Sequence, residues 1–287
     1  MGMKTLNILK CFETLPASLD FVLPGMLHGT VGGLISPGGA GKSLTALQIA
    51  IQIASGVDTI RWGQELKRGR VVYLAAEDPV DALHFRLHEL GKQLPPAARE
   101  AVCDQLTIHS LVGEKDRINL LDPPTEHGLL EVARGCRLLI LDTLRRFHVA
   151  NENDSGDMAK VVASLEHISA QTGTSVLFLH HSTKSSSLGG TVDEQQSSRG
   201  SSVLVDNVRW QGFLSGMSKA EAREMGIEPE RRRFFVRFGV SKQNYGMPLD
   251  DVWFERGAGG ILRVVKFEET ACSQKNAKTN RRQRDGH

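Results

Sequence analysis

The sequence lacks paired cysteines. Cys11, Cys103, Cys136 and Cys272 are scattered over 287 residues with no CxxC spacing and no cysteine–histidine cluster, so neither a zinc finger nor a disulfide framework is indicated. Long apolar runs are missing too. The longest, at 138–141 and 176–179, fall far short of the roughly 20 residues that cross a bilayer. Residues 1–15 carry no signal-peptide pattern, and a cytoplasmic protein with no membrane segment is expected. Charge of one sign is also scarce: 35 Lys and Arg against 33 Asp and Glu leave +2, too little to announce a nucleic-acid-binding protein by net charge. Any such binding has to come from local clusters. A chain that is 40% hydrophobic and 24% charged can bury the core of one large domain with short appendages.

Residues 1–24 read as an N-terminal arm, with Leu6, Ile8, Leu9 and Phe12 on one short amphipathic element before Pro16. From Thr30 the pattern alternates. An apolar strand at 31–35 leads through a glycine-rich turn into a helix carrying Leu44, Leu47, Ile49, Ile51 and Ile53 and ending near Gly56. A strand at 70–75 follows, then Asp78 and Pro79, read as an N-cap and a first-turn proline of a helix reaching Gly91. Strands near 106–111, 138–141 and 176–179 and a helix near 158–172 continue the rhythm. Apolar strands alternating with helices predict a mostly parallel central sheet covered on both faces.

After Ser182 the rhythm changes. Residues 185–198 are rich in Ser, Gly and Gln and read as a loop. A helix near 200–208 comes next, then a capping box at Ser218 and Glu221, and strands at 234–241, 252–255 and 261–265 that extend the sheet with antiparallel pairing. The expected division is an arm at 1–24, one domain at 25–269, and a polar, basic tail at 270–287 expected to be disordered.

The segment Ser36-Pro-Gly-Gly-Ala-Gly41-Lys42-Ser43 lies between an apolar strand and an apolar helix, the setting in which a Walker A match has physical meaning. Glycines let backbone N–H groups turn inward around phosphates, and the helix N-terminus adds partial positive charge. Lys42 would bridge the terminal phosphates of ATP, and Ser43 would offer a hydroxyl to Mg²⁺. The candidate nucleotide-binding residues are therefore Gly38, Gly39, Ala40, Gly41, Lys42, Ser43 and Leu44. The first motif position holds Ser36 where the pattern has glycine. Asp142, at the end of an apolar strand begun by Arg137, fits the Walker B carboxylate that orients a water in the magnesium shell.

Two acids, Glu77 and Asp78, close the strand at 70–75, at the end of a parallel sheet where ligands sit. Here the chain resembles RecA-like ATPases, whose catalytic glutamate stands at this position. The match implies Glu77 as general base for the attacking water, with simple helix capping as the alternative. In the same resemblance His181 takes the place of a γ-phosphate sensor, and His180 points the other way because side chains alternate along a strand.

The resemblance extends further. The Walker A segment, Leu141-Asp-Thr-Leu-Arg-Arg-Phe-His148, the 198–207 segment with Arg209 and Trp210, and the 234–242 segment with Asn244, Tyr245 and Gly246 together look like the RepA-type replicative helicases of broad-host-range plasmids, over residues 7 to about 265. What this implies is a homohexameric ring that hydrolyses ATP between subunits and moves on single-stranded DNA to unwind a fork, with a plasmid initiator and a primase as further partners. Related helicases end a late strand in Lys-x-Arg; this chain has Lys242, Gln243 and Asn244, so Arg209 becomes the candidate arginine finger and Lys242 a second cation. Lys184, Arg199, Arg145 and Arg146, on the loops at 145–157 and 183–199, are candidate contacts to DNA phosphates, with solvated loop charges as the alternative. Aromatic platforms are scarce there, which points to sequence-independent backbone tracking. Two other classes share the ATP motifs: a filament-forming recombination or repair ATPase, and a small-molecule phosphotransferase, which would need an acceptor pocket and an arginine-rich lid that the sequence does not display. A non-catalytic ATP-binding scaffold ranks last, because the base, metal and sensor positions are all filled.

Overall fold

The computed structural model describes residues 5–113, 118–182, 202–246 and 248–267. Helix α1 (Ile8–Glu13) starts at Asn7, whose side chain accepts a hydrogen bond from the Lys10 backbone N–H, and buries none of its residues. Strands β1 (Phe21–Leu23) and β2 (Met26–Leu27) form a small antiparallel hairpin. The main sheet then begins. In chain order come β3 (Val31–Ser36), α2 (Lys42–Ser55), β4 (Val71–Ala75), α3 (Val80–Gly91), α4 (Pro96–Gln105), β5 (Leu106–Ser110), α5 (Pro123–Ala133), β6 (Leu138–Asp142), α6 (Ser155–Thr172) and β7 (Ser175–His181). After the segment outside the described residues follow α7 (Ser202–Asn207), β8 (Trp210–Gly216), α8 (Lys219–Glu224), β9 (Phe235–Gln243), β10 (Val252–Arg256) and β11 (Leu262–Val265).

Among the described residues the sheet has the order β11-β10-β9-β8-β3-β7-β6-β4-β5. Strands β8, β3, β7, β6, β4 and β5 run parallel, while β9, β10 and β11 add by antiparallel pairing. This is the expected α/β architecture. Alternation explains the continuous apolar runs: Leu138 and Ile140 face one core with α2, α3 and α4, while Leu139 and Leu141 face another with α5, α6 and α7. Each strand is buried on both sides, so neither face needs polar residues. Among the described residues no helix is long and apolar enough to cross a membrane.

Three readings change. Strand β8 and helices α4 and α5 had no clear signature, the strand because Gly212 and Gly216 dilute its pattern, the helices because they bury few residues. Asp78 does not cap α3. Pro79 holds the N-cap position without a side-chain hydrogen bond, and the Asp78 carboxylate pairs with Arg86 instead, a charged partner that outcompetes a backbone N–H. The arm boundary drawn at residue 24 moves back to about Asp20. Val22 and Leu23 are fully buried, Trp210 Nε1 donates to Pro24 O at 2.9 Å, and Asp20 takes a two-pronged contact from Arg137 at 2.7 and 3.2 Å. The basic tail at 270–287 and the loop at 185–198 lie outside the described residues.

The Arg137 guanidinium, 9% exposed at the start of β6, also donates to Phe21 O and so ties the N-terminal hairpin to the sheet. Hydrogen bonding from Arg137 holds the Asp20 carboxyl at about 2, against an ordinary 3.8. A depressed carboxylate contributes stability that is present above its unfolded value and lost as pH falls through its folded value. Asp20→Asn is therefore expected to cost roughly 2 kcal/mol at pH 7. The gap to wild type should begin to close below about pH 4 and continue closing toward 2 in thermal-denaturation curves. A gap that stays constant down to pH 3 would remove this pair from the stability of the fold.

Candidate nucleotide site

Parallel strands place their carboxyl ends at one edge, and the expected site residues converge there. β3 ends at Ser36; β6, separated from it by β7, ends at Asp142; β7 ends at His181; Glu77 stands two residues past the end of β4. The Ala76 N–H donates to Asp142 O at 2.6 Å and the Ser182 N–H to Ser36 O at 3.1 Å, so the strand ends are laced beyond the sheet itself.

The loop between β3 and α2 turns through Gly39 and Gly41 at φ +74° and +106°, values that side-chain-bearing residues rarely adopt. Gly41 caps α2, whose first turn brings Lys42, Ser43 and Leu44 to the edge; Gly38, Gly39 and Ala40 form the turn before it. Ser36, the departure from the glycine pattern, has a structural reason. It is buried, and its hydroxyl accepts from the Leu214 N–H of β8 at 3.0 Å, stitching the loop's entry to the neighbouring strand.

Lys42 is 5% exposed. Its ammonium donates to Ser36 O at 2.7 Å and Pro37 O at 3.0 Å, and lies 3.1 Å from His181 Nδ1. Burial lowers its pKa to about 8, opposed by the charges of Asp142 and Glu77. An ammonium has no lone pair to offer, so His181 Nδ1 is the acceptor and the imidazole proton sits on Nε2, which faces Glu77 Oε2 at 3.8 Å. Burial, then the Lys42 charge, lowers the His181 pKa and keeps the ring neutral at pH 7. His180 turns to the opposite face of the sheet, where burial pushes its pKa down to about 4.

Glu77 accepts from the Thr143 hydroxyl at 3.1 Å and from Arg146 Nε at 3.4 Å. The structure thus turns Arg146 toward the chain's own Glu77, and Arg145 toward His148 O at 3.3 Å with Glu152 at 3.8 Å. Lys184 and Arg199 lie outside the described residues. Asp142 is 2% exposed, and burial raises its pKa to about 6 against the hydrogen bonds of Tyr73 and Ser43. Its Oδ1 is buried without a partner among the described residues. A buried carboxylate oxygen left open beside a serine hydroxyl is a hard-oxygen donor set of the kind magnesium takes with most of its waters retained, so the residues fit the ion that a P-loop implies.

Arg209 and Lys242 are not at this edge. The Arg209 N–H donates to Val31 O at the opposite end of β3, and Lys242, opposite Gln211 in the β8–β9 register, donates to Asp206 O at 2.8 Å. Five strand steps separate that end from Ser36, about 17 Å at the rise of a strand.

Two residues at the site escaped the sequence reading. Arg256, at the end of β10, donates to Gly39 O at 3.0 Å and Ala40 O at 2.6 Å, holding the outside of the loop. Tyr73, in the middle of β4, donates to Asp142 Oδ2 at 2.5 Å. Neither stands in a motif. The only available signal was a tyrosine in an otherwise aliphatic buried strand, since a buried phenol must find a partner.

Residues 5–187 match the family model of the AAA domain. Among solved structures the fold is similar to that of the RadB recombinase, with 13% identity and a TM-score of 0.53 over 83% of this chain and 92% of that one. It is also similar to the ATPase domain of a replicative helicase, with 12% identity and a TM-score of 0.59 over 90% of this chain and 96% of that one. At such identities the likeness is one of fold, and it covers the antiparallel strands as well as the parallel core.

Lys42→Ala is expected to weaken nucleotide binding. Glu77→Gln, which keeps the Thr143 contact, should bind nucleotide normally and slow hydrolysis by roughly 10² or more, as for loss of a positioned base. Equilibrium binding beside steady-state phosphate release checks both, and near-normal turnover of Glu77→Gln would take Glu77 out of the chemistry.

Proposed function

Because this chain belongs to the AAA domain family and carries a RecA-like P-loop ATPase core, we propose that it is an ATP-hydrolysing DNA helicase of the RepA type, working as a ring of identical subunits. One observation supports the ring above all others. The two candidate cations, Arg209 and Lys242, sit across the sheet from the chain's own phosphate loop and cannot reach it, so a site completed by them must belong to a neighbour. A self-contained phosphotransferase would hold its cations at its own loop edge.

In this reading the backbone N–H groups of Gly38 to Ser43 and the N-terminus of α2 receive the phosphates of ATP, and Lys42 leaves the carbonyls of Ser36 and Pro37 to bind the terminal ones. Bound magnesium, held through Ser43 and a water accepted by Asp142, would neutralise charge on the β- and γ-phosphate oxygens. Glu77 takes the proton of the attacking water, with Thr143 fixing the carboxylate. His181, in contact with both Lys42 and Glu77, registers whether the terminal phosphate is present and passes this to the loop that follows β7. Arg209 from the adjacent subunit stabilises the transferring phosphoryl group, with Lys242 beside it. Arg145, Arg146, Lys184 and Arg199 track the phosphates of single-stranded DNA by charge alone. A filament-forming recombinase is the competing reading, supported by the RadB likeness in fold; native mass spectrometry separates a closed ring from open-ended polymers.

Two measurements test the proposal. Strand displacement on forked DNA should depend on ATP and accompany DNA-stimulated turnover; turnover indifferent to single-stranded DNA would sink the helicase reading. Arg209→Ala should assemble and bind ATP but hydrolyse roughly 10³-fold more slowly, as for a lost arginine finger. Mixed oligomers of Arg209→Ala and Glu77→Gln subunits should regain activity, because some interfaces pair a sound base with a sound finger. Normal turnover by Arg209→Ala alone would reject the finger.

A further inference from the structure

Among the described residues Tyr73 is the one fully buried phenol of the central strands, and packing alone does not explain its oxygen. Residues 71, 73 and 75 of β4 face the core under α2, with Tyr73 opposite Ile140 and Ala75 opposite Asp142 on β6. The phenol therefore runs along its strand toward the site edge and ends beneath the first turn of α2. There its oxygen lies 2.5 Å from Asp142 Oδ2 and 3.3 Å from Ser43 O. A phenol has one proton, and it goes to the shorter, charged acceptor. One carboxylate oxygen is thus committed and the other, Oδ1, stays open.

We infer that Tyr73 is a positioning residue for the metal–nucleotide complex: its hydroxyl pins Asp142 Oδ2 under the first turn of α2 and so keeps Oδ1 set as the acceptor for the magnesium water shell. A carboxylate on a strand end has a free χ2 rotation, and burial by itself does not choose which oxygen faces the metal. The hydrogen bond makes that choice, and its nearness to Ser43 O places the same phenol against the residue that supplies the other oxygen ligand. Phenylalanine would fill the same space with no such control. This rests on reading Asp142 as the carboxylate of the magnesium shell, and the test separates the two.

The experiment measures affinity of a fluorescent ATP analogue for the full chain, across a magnesium titration and in EDTA. The proteins are wild type, Tyr73→Phe, Asp142→Asn and the double variant, each with a thermal-melting check. Tyr73→Phe should need about tenfold more magnesium for the half-maximal effect, the scale seen when a partner of a metal ligand is removed. Its EDTA affinity and melting midpoint should match wild type, and the double variant should be no worse than Asp142→Asn, because the hydroxyl then has nothing to position. Wild-type magnesium dependence in Tyr73→Phe, with Asp142→Asn impaired, overturns the role of Tyr73 and leaves Asp142 standing. Undiminished magnesium dependence in Asp142→Asn overturns the reading of Asp142 and the proposal with it. Equal losses with magnesium and in EDTA, or a lowered melting midpoint that accounts for the change, show a purely structural tyrosine and overturn the proposal as well.

Discussion

Helix α2 is buried almost all the way round, and the geometry of the site follows from that burial. From Lys42 to Ala54 only Ser43 escapes, and the Leu and Ile residues among them contribute roughly 1.5–3 kcal/mol each by leaving water. A helix apolar on every side cannot lie on a surface. It is enclosed by the sheet below, by α4 beside it, and by β11, where Gln48 donates to Leu262 O at 3.0 Å. Gln52 and the Gln48 carbonyl hold the chain beyond the helix through Ile60 and Thr59. With the helix body so confined, its first turn has one place to be, and the phosphate loop is carried to the sheet edge with it.

That edge gathers charge where the surroundings would otherwise exclude it. Lys42 and Asp142 are both nearly inaccessible, and burial moves each toward its neutral form, the lysine down to about 8 and the aspartate up to about 6. What keeps them chargeable is local: carbonyls of the loop around the ammonium, a phenol on the carboxylate, and their attraction to one another. Such an arrangement responds strongly to an incoming phosphate and a divalent ion, because each addresses an electrostatic demand that water does not reach.

The sheet has two working ends. The nucleotide edge lies at the carboxyl ends of the parallel strands; the far end, about 17 Å away by strand rise, carries Arg209 and Lys242. A parallel sheet separates its two ends as a matter of geometry, so residues assigned to one chemistry but found at opposite ends imply more than one copy of the chain. The antiparallel strands serve the near end: the β10–β11 hairpin brings Arg256 onto the carbonyls of Gly39 and Ala40, so the loop is held from outside as well as from below.

The alternation of strands and helices, the phosphate loop, Asp142, Glu77 and His181 were all legible from residue order, because each depends on local spacing: a two-residue period in the strands, a glycine turn, a lysine and serine opening a helix. Strand β8, where glycines interrupt the period, was not legible, nor was Asp78, whose partner Arg86 lies two helical turns along α3. Contacts across strands were beyond reach altogether. Tyr73 and Asp142 are 69 positions apart and Arg256 and Ala40 are 216, and no periodicity records which side chains a register will bring to 3 Å. The kinds of residue and their order along the chain determined that a phosphate site would form; which buried hydroxyl and which distant arginine would brace it was decided only when the strands were set side by side, because a hydrogen bond depends on position in space and sequence spacing specifies position only within one element.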